Sequence, residues 1–137
     1  MVTGLYAAVF ALMQVWLTLQ VALRRKQHSI TYGHGDNDDL ARHIHVSGNF
    51  AETVPMALFL MLVLEGGGLG YWVIHALGVA MLISRILHAV GVLRGSGTFG
   101  IYKRLSVWMT LGVYVVAAIL CVMMFLPFYF GLPVQYG

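Results

Sequence analysis

The sequence predicts an all-α membrane protein built as a bundle of four transmembrane helices. The chain has 137 residues, of which 60% are hydrophobic and only 9% are charged, whereas soluble domains contain roughly 25% charged residues. Its mean hydropathy is +0.83. Four apolar runs are long enough to cross a hydrocarbon core about 30 Å thick, and they lack the alternation of barrel strands. We therefore predict one domain over residues 1–137, with helices at about 5–23, 38–64, 69–92 and 105–130.

The first apolar run, Leu5 to Leu23, is expected to be a retained helix and not a cleaved signal. No basic residue precedes it, and no small-residue cleavage site separates it from Arg24-Arg25-Lys26. The run therefore counts as the first span of the bundle.

Basic residues distinguish the two ends of the predicted bundle. Residues 24–44 and 93–104 contain seven of the eight Lys and Arg residues, and the segments on the opposite side contain none. Because cytoplasmic loops are enriched in Lys and Arg, we predict that both segments are cytoplasmic and both termini lie outside. We expect the membrane to be a bacterial inner membrane. No nucleic-acid partner is predicted, since the basic residues form no patch with interleaved aromatic side chains.

Acidic residues mark the start of the second helix. Asp36, Asp38 and Asp39 lie close together, and we expect one of them to cap a helix that begins near Asp38. Acidic side chains there also suit the positive end of the helix dipole.

Glycine and proline predict the remaining boundaries. The glycine-rich segment 65–70 lacks the lysine and hydroxyl residue of a phosphate loop, so it is interpreted as a tight turn into the third helix. Pro127 and Pro133 are expected to end the fourth helix and leave residues 134–137 as a short tail.

One face of the second helix is polar. At 100° per residue, Arg42, His45, Asn49 and Glu52 fall within an arc of about 80°. Pro55 cannot donate a backbone hydrogen bond, so we expect the helix to bend beside Glu52. Because an ionisable side chain at membrane depth needs a protein partner or water, this polar stripe should face another helix or a water-filled crevice.

The third helix offers a partner for the polar stripe. Arg85 and His88 are three residues apart and share a helix face, and we predict an ion pair between Arg85 and Glu52. A structural network that holds helices together is the alternative interpretation. Together with the neighbouring basic residues 24–26, the polar stripe provides several cations, an amide and a carboxylate. That combination suits a small ligand with carboxylates and an amine.

A short motif resembles a known family. Asn49-Phe50-Ala51-Glu52-Thr53-Val54-Pro55 is similar to the Asn-x-x-Glu-x-x-Pro signature of the MAPEG family, the membrane-associated proteins in eicosanoid and glutathione metabolism. Three further features follow the family order. They are Leu19-Gln20-Val21 before the basic cluster, Arg42 seven residues before the asparagine, and Arg85-x-x-His88 late in the third helix.

The resemblance implies a four-helix protomer of a homotrimer that holds glutathione near its cytoplasmic side. A lipophilic electrophile then approaches from the lipid bilayer. Arg104, the only arginine near the start of the fourth helix, corresponds to the arginine that stabilises the glutathione thiolate, with Lys103 beside it as the alternative. His45 stands where familiar members carry another arginine. By position, the implied glutathione contacts are Arg25, Arg42, His45, Asn49, Glu52, Arg85 and His88.

Two function hypotheses follow from these residues. A free thiol has a pKa of about 8.5, and lowering it by about two units takes roughly 2.7 kcal/mol, which one charged hydrogen bond can supply in a partly dry site. The first hypothesis is therefore a glutathione transferase or peroxidase acting on lipophilic electrophiles. The second is a non-catalytic lipid-binding or scaffold protein whose polar stripe is structural. A transporter is a weaker third hypothesis, because the sequence has no internal repeat.

Histidine and cysteine do not predict a metal site. Although His28, His34, His43 and His45 lie in one region of the chain, their spacing fits no tetrahedral ligand set. Cys121 is the single cysteine, so the sequence contains no disulfide framework.

Overall fold

The structure is a computed structural model that describes residues 1–94 and 100–130, apart from the side chain of Phe128. It contains four helices, α1 (Val2–Gln27), α2 (Asp38–Gly66), α3 (Tyr71–Leu93) and α4 (Gly100–Tyr129). Four long apolar helices are found as predicted, and each is long and apolar enough to cross a membrane. Pro133 and the predicted tail 134–137 lie outside the described residues.

The helices extend beyond their apolar runs at the basic end of the bundle. α1 continues through Arg24, Arg25 and Lys26 to Gln27, where cationic side chains suit the negative end of the helix dipole. α4 begins at Gly100, earlier than the apolar pattern predicts. Lys103 and Arg104 are therefore part of the helix and project from fixed positions on its surface.

Asn37 caps α2, so the prediction of an acidic cap is wrong. Its side chain accepts a hydrogen bond from the backbone N–H of Leu40 at 2.9 Å. Asn37 has the extended backbone of an N-cap residue, whereas Asp38 is already helical. Asp38 and Asp39 lie in the first turn, where their charges still favour the helix through its dipole.

The glycine-rich segment forms the predicted tight turn between α2 and α3. The backbone N–H of Gly67 donates to the carbonyl of Val63 at 2.9 Å, and that of Leu69 donates to the carbonyl of Leu64 at 3.0 Å. Gly68 has a φ of +89°, a conformation that side chains disfavour. These hydrogen bonds complete the last turn of α2, and the chain then reverses its direction into α3.

The central helices of the bundle are α2 and α3. α1 packs against both of them on one side and α4 on the other, and within the described ranges α1 and α4 do not pack against each other. The core is made of apolar side chains from all four helices, such as Phe10, Met61, Ile74, Met81 and Ala117. Other large apolar side chains are exposed on the outside of the bundle, where a membrane protein meets lipid.

Candidate functional site

Arg85 lies at the centre of a hydrogen-bonded cluster that joins three helices. The residue is only 3% exposed. One of its Nη atoms donates to Asn49 Oδ1 and Thr53 Oγ1 of α2, both at 2.7 Å. The other donates to Ser84 Oγ at 3.1 Å and to Thr110 Oγ1 of α4. Neutral oxygens from α2, α3 and α4 therefore surround the guanidinium.

The predicted ion pair between Arg85 and Glu52 is not formed. Glu52 is exposed on the surface of α2, while Asn49 and Thr53 supply the hydrogen-bond acceptors. Asn49 and Thr53 are one turn apart on the face that meets α3, and Glu52 is rotated from Asn49 by about 60°. Glu52 therefore lies in the same turn of α2 as Asn49 and Thr53, but not on the face that contacts Arg85.

Hydroxyl groups of α3 and α4 complete the cluster, and they are not among the predicted site residues. Ser84 Oγ donates to the carbonyl of Ser106 at 2.9 Å and lies 2.6 Å from Thr110 Oγ1. Thr110 Oγ1 also donates to the carbonyl of Ser106, at 2.8 Å. Ser106 and Thr110 are four residues apart, like Asn49 and Thr53, and this spacing places them on one helix face. Two such pairs in apolar helices are the signal that could have identified them.

His88 lies one turn beyond Arg85 and is also 3% exposed. Its Nδ1 is 3.3 Å from Ser106 Oγ, which itself donates to the carbonyl of Lys103 at 2.7 Å. Because the Ser106 proton is used on that carbonyl, Nδ1 of His88 is the donor and its Nε2 carries the lone pair. This buried Nε2 has no hydrogen-bond partner in the part of the chain that is described. The His88 ring lies 5.7 Å from the ring of His45.

An open cleft of about 450 Å³ lies at the basic end of the bundle, near this histidine pair. It combines two cations and a histidine with one carboxylate. Arg42 and His45 of the polar stripe both line it, and the structure adds an acidic residue and a lysine. The full lining consists of Asp38, Ala41, Arg42, His45, Val92 and Lys103.

A second, smaller groove of about 130 Å³ opens between α2 and α4 at the level of Arg85. Its polar floor belongs to the Arg85 cluster, and its outer walls are apolar. The hydroxyl of Tyr114 donates to the carbonyl of Thr53 at 2.5 Å and joins the two helices at the lower edge. The groove is lined by Asn49, Thr53, Arg85, Val107, Thr110, Leu111 and Tyr114.

Six of the eight predicted site residues do not line the cleft, and Arg25 and Arg104 are two of them. Arg25 donates to the backbone carbonyl of Thr31 at 2.9 Å, within the connection between α1 and α2. Arg104 is exposed on α4, next to Lys103, which lines the cleft. Whether Lys103 or Arg104 contacts a ligand therefore depends on the face of α4 to which that ligand binds.

The profile of the MAPEG family matches residues 3–129, which include nearly all of the four helices. The chain belongs to the MAPEG family. It is similar to the inner membrane protein YecN of Escherichia coli K12 and to the protein of the same name in Escherichia coli O6:H1. Each alignment has 35% identity over 91 residues and covers 66% of this chain and 70% of the relative. No solved structure matches the chain.

The MAPEG motif of this chain does not form one compact cluster. Asn49 binds Arg85, whereas Glu52 is exposed. Pro55 lines a separate apolar groove of about 190 Å³ between α1 and α2, and α2 continues beyond it to Gly66. In this MAPEG protein the asparagine therefore has a defined role within the bundle, and the glutamate remains available to a partner outside it.

The described histidines and acidic residues do not form a metal centre. Across residues 1–94 and 100–130, no group of three or more His, Cys, Asp or Glu side chains is arranged to hold a metal ion. His43 instead has its Nδ1 at 2.8 Å from the carbonyl of Asp39, one turn earlier in α2. One of the four histidines near the connection between α1 and α2 therefore has a hydrogen-bond partner within its own helix.

Proposed function

We propose that the cleft at the basic end binds glutathione and that the protein is a glutathione-dependent transferase or peroxidase acting on lipophilic electrophiles. The charge pattern of the cleft is the observation that carries this proposal. Glutathione has two carboxylates, one ammonium group and a thiol. Arg42 and Lys103 suit its anionic groups, and Asp38 suits the ammonium. The volume of about 450 Å³ lies within the usual range of small-molecule sites, roughly 300–1,000 Å³.

A cation near the start of α4 is proposed to stabilise the glutathione thiolate. Arg104 is the candidate that the family resemblance implies, and Lys103 is supported by its place in the cleft lining. Once ionised, the sulfur forms a bond to an electrophilic carbon of a substrate that enters from the bilayer, and the leaving group departs from that carbon with the electron pair of the broken bond. The thiol proton leaves to water before that step, because attack requires the thiolate.

The remaining family-implied residues are proposed to act in three ways. Arg85 and Asn49 hold the helices beneath the cleft, because the Nη groups of Arg85 are already bonded to protein oxygens. His88 is placed to orient His45 through their neighbouring rings. Glu52 and Arg25 lie outside the cleft of one protomer. Their contact with glutathione therefore requires a neighbouring protomer, as in the homotrimer that we propose for this chain.

A glutathione titration of the purified full-length chain tests the proposal. Calorimetry measures binding, and the ultraviolet absorbance of the thiolate measures ionisation at neutral pH. Arg42→Ala should weaken binding, and Lys103→Ala or Arg104→Ala should abolish the thiolate signal, which identifies the cation that meets the sulfur. Lys26→Ala is the control, since Lys26 is an exposed cation at the same end of the bundle. If the wild-type protein fails to bind glutathione at millimolar concentration, the proposal is wrong.

A non-catalytic scaffold is the second candidate, and the Arg85 cluster favours it. That cluster uses Asn49 and Thr53 of the polar helix face to join helices. The scaffold hypothesis predicts that Asn49→Ala disrupts assembly, while Arg42→Ala changes nothing measurable with glutathione. A stable, correctly assembled Asn49→Ala protein that has lost only turnover would contradict it.

A further inference from the structure

Arg85 carries a buried positive charge that no acidic side chain balances in the part of the chain that the structure describes. The chain has five acidic residues, and all of them lie in the described ranges. One forms an ion pair with Arg24, one binds the start of α1, and the other three are exposed. None is an ion-pair partner of Arg85 within those ranges. The five are Asp36, Asp38, Asp39, Glu52 and Glu65.

The partners of Arg85 solvate its charge without neutralising it. They are hydroxyl and amide oxygens of Asn49, Thr53, Ser84 and Thr110. Its Nε is buried and has no hydrogen-bond partner in the described part of the chain. An uncompensated ionised group at membrane depth is unfavourable. An anion beside the guanidinium therefore gains more here than at an exposed arginine.

The groove between α2 and α4 gives an anion access to this charge. Its volume is about 130 Å³, and one water molecule occupies about 30 Å³, so it has room for roughly four groups of that size. Asn49 must use its carbonyl oxygen to accept from Arg85, which leaves its NH₂ group as a donor for a ligand. Val107 and Leu111, which are 43% and 47% exposed, form an apolar outer wall.

An exposed tryptophan indicates that the groove lies near the membrane–water interface. Trp108 is 73% exposed on α4, and exposed tryptophan is enriched at the membrane–water interface. It precedes Thr110, a direct partner of Arg85, by two residues, or about 3 Å along the helix axis. The other Lys and Arg residues of the chain lie toward the same end of the bundle. Such a basic end attracts anionic lipids.

We propose that the groove between α2 and α4 binds the phosphodiester headgroup of an anionic phospholipid, with an acyl chain along Val107 and Leu111. Arg85 supplies the balancing charge, and the Asn49 amide donates to a phosphate oxygen. This site is separate from the cleft lined by Arg42 and Lys103, and it does not rest on glutathione binding.

Native mass spectrometry of the detergent-purified full-length chain tests the lipid site. The probes are phosphatidylglycerol and phosphatidylcholine with identical acyl chains, because they differ in net charge. Wild-type protein should bind the anionic lipid at least about tenfold more tightly, because the choline cation of phosphatidylcholine neutralises the phosphate charge and brings a second positive charge toward Arg85. Leu111→Trp fills the groove without removing any partner of Arg85, and it should abolish this preference. Ile86→Trp, on the exposed surface of α3, should retain it.

Four outcomes would overturn the lipid assignment. Equal binding of both lipids to the wild type, or an unchanged preference in Leu111→Trp, means that Arg85 does not select the headgroup. Displacement of the lipid by millimolar inorganic phosphate assigns the groove to free phosphate. A changed oligomeric state in Leu111→Trp with unchanged lipid preference assigns it to a contact between copies. Melting temperatures of both variants verify that they are folded.

Discussion

The two ends of the bundle use polar side chains in opposite ways. At the end where α1 begins, the carboxylate of Glu65 accepts hydrogen bonds from the backbone N–H groups of Val2 and Thr3, the latter at 2.9 Å. These groups have no partner inside their own helix. The hydroxyl of Tyr6 lies 3.1 Å from Nδ1 of His75 and donates to its carbonyl at 3.2 Å. The protein itself thus satisfies the backbone N–H groups of Val2 and Thr3 and the hydroxyl of Tyr6, whereas the buried Oγ1 of Thr3 has no hydrogen-bond partner in the described residues.

The basic end is open by comparison. Arg42 and Lys103 line a cleft, and both Nε of Arg85 and Nε2 of His88 lack partners in the described ranges. Polar contacts at the Glu65 end join helices to one another. Those at the basic end also join helices, but they leave hydrogen-bond donors and charges that a ligand can bind. We therefore expect ligand binding at the basic end, and the following variants test how far the two roles separate.

Arg85→Met should have the largest effect on stability. It removes the donor from four side-chain oxygens on three helices, so we expect a loss of about 3 kcal/mol in the free energy of unfolding. Unfolding in mixed micelles with a denaturing detergent measures it. Arg104→Met, an exposed arginine at the same end, should change stability by less than about 0.5 kcal/mol. Similar losses in both variants would show that the Arg85 cluster does not fasten the bundle.

Gly78→Ala should have an intermediate effect and report on packing between α1 and α3. A Cβ at Gly78 would lie 2.5 Å from Cε2 of Tyr6, so either the ring or the helix must move, at a cost of about 1–3 kcal/mol. Gly112→Ala is the matched control, because a Cβ there meets nothing within 4 Å. It should leave the protein as stable or increase its stability by up to about 1 kcal/mol. If both substitutions have the same effect in the unfolding assay, the close contact with Tyr6 is not a determinant of stability.

Glu65→Gln should have the smallest effect, confined to the first turn of α1. The substitution removes the charge that binds the N–H groups of Val2 and Thr3 but keeps one acceptor oxygen. Hydrogen exchange should become faster at these two amides while the global melting temperature stays nearly constant. Glu52→Gln, at an exposed position on α2, should leave exchange unchanged. A fall in melting temperature as large as that of Gly78→Ala would argue against a local role for Glu65.

Local features of the sequence predicted the helices, but the partners of Arg85 depend on how helices are rotated. The length of each apolar run determines whether it can cross a bilayer, so four spans and the turn at 65–70 could be predicted without knowing their neighbours. Asn49 and Glu52 differ by only about 60° around α2, and packing against several helices decides which of them faces Arg85. The rotation of α2 about its own axis relative to its neighbours cannot be read from a single sequence.

The sequence left open whether Lys103 or Arg104 is the cation near the thiolate, and the reason is related. Apolar content predicted that α4 begins near residue 105, yet the helix begins at Gly100. Helical geometry then fixes the direction of both side chains, and only Lys103 lines the cleft. Placing Arg42 and His45 together was easier, because they share a face within one helix.

The contacts at the two ends of α1 and α2 also bear on how the chain enters the membrane. Arg24 and Asp39 form an ion pair at 2.8 Å at one end, and Glu65 binds the start of α1 at the other. All of these residues precede α3, so a hairpin of α1 and α2 can close while the ribosome is still synthesising the second half. The hydrogen bonds of Arg85 join α2 to α3 and α4, so the complete set can form only after the second half of the chain has been synthesised.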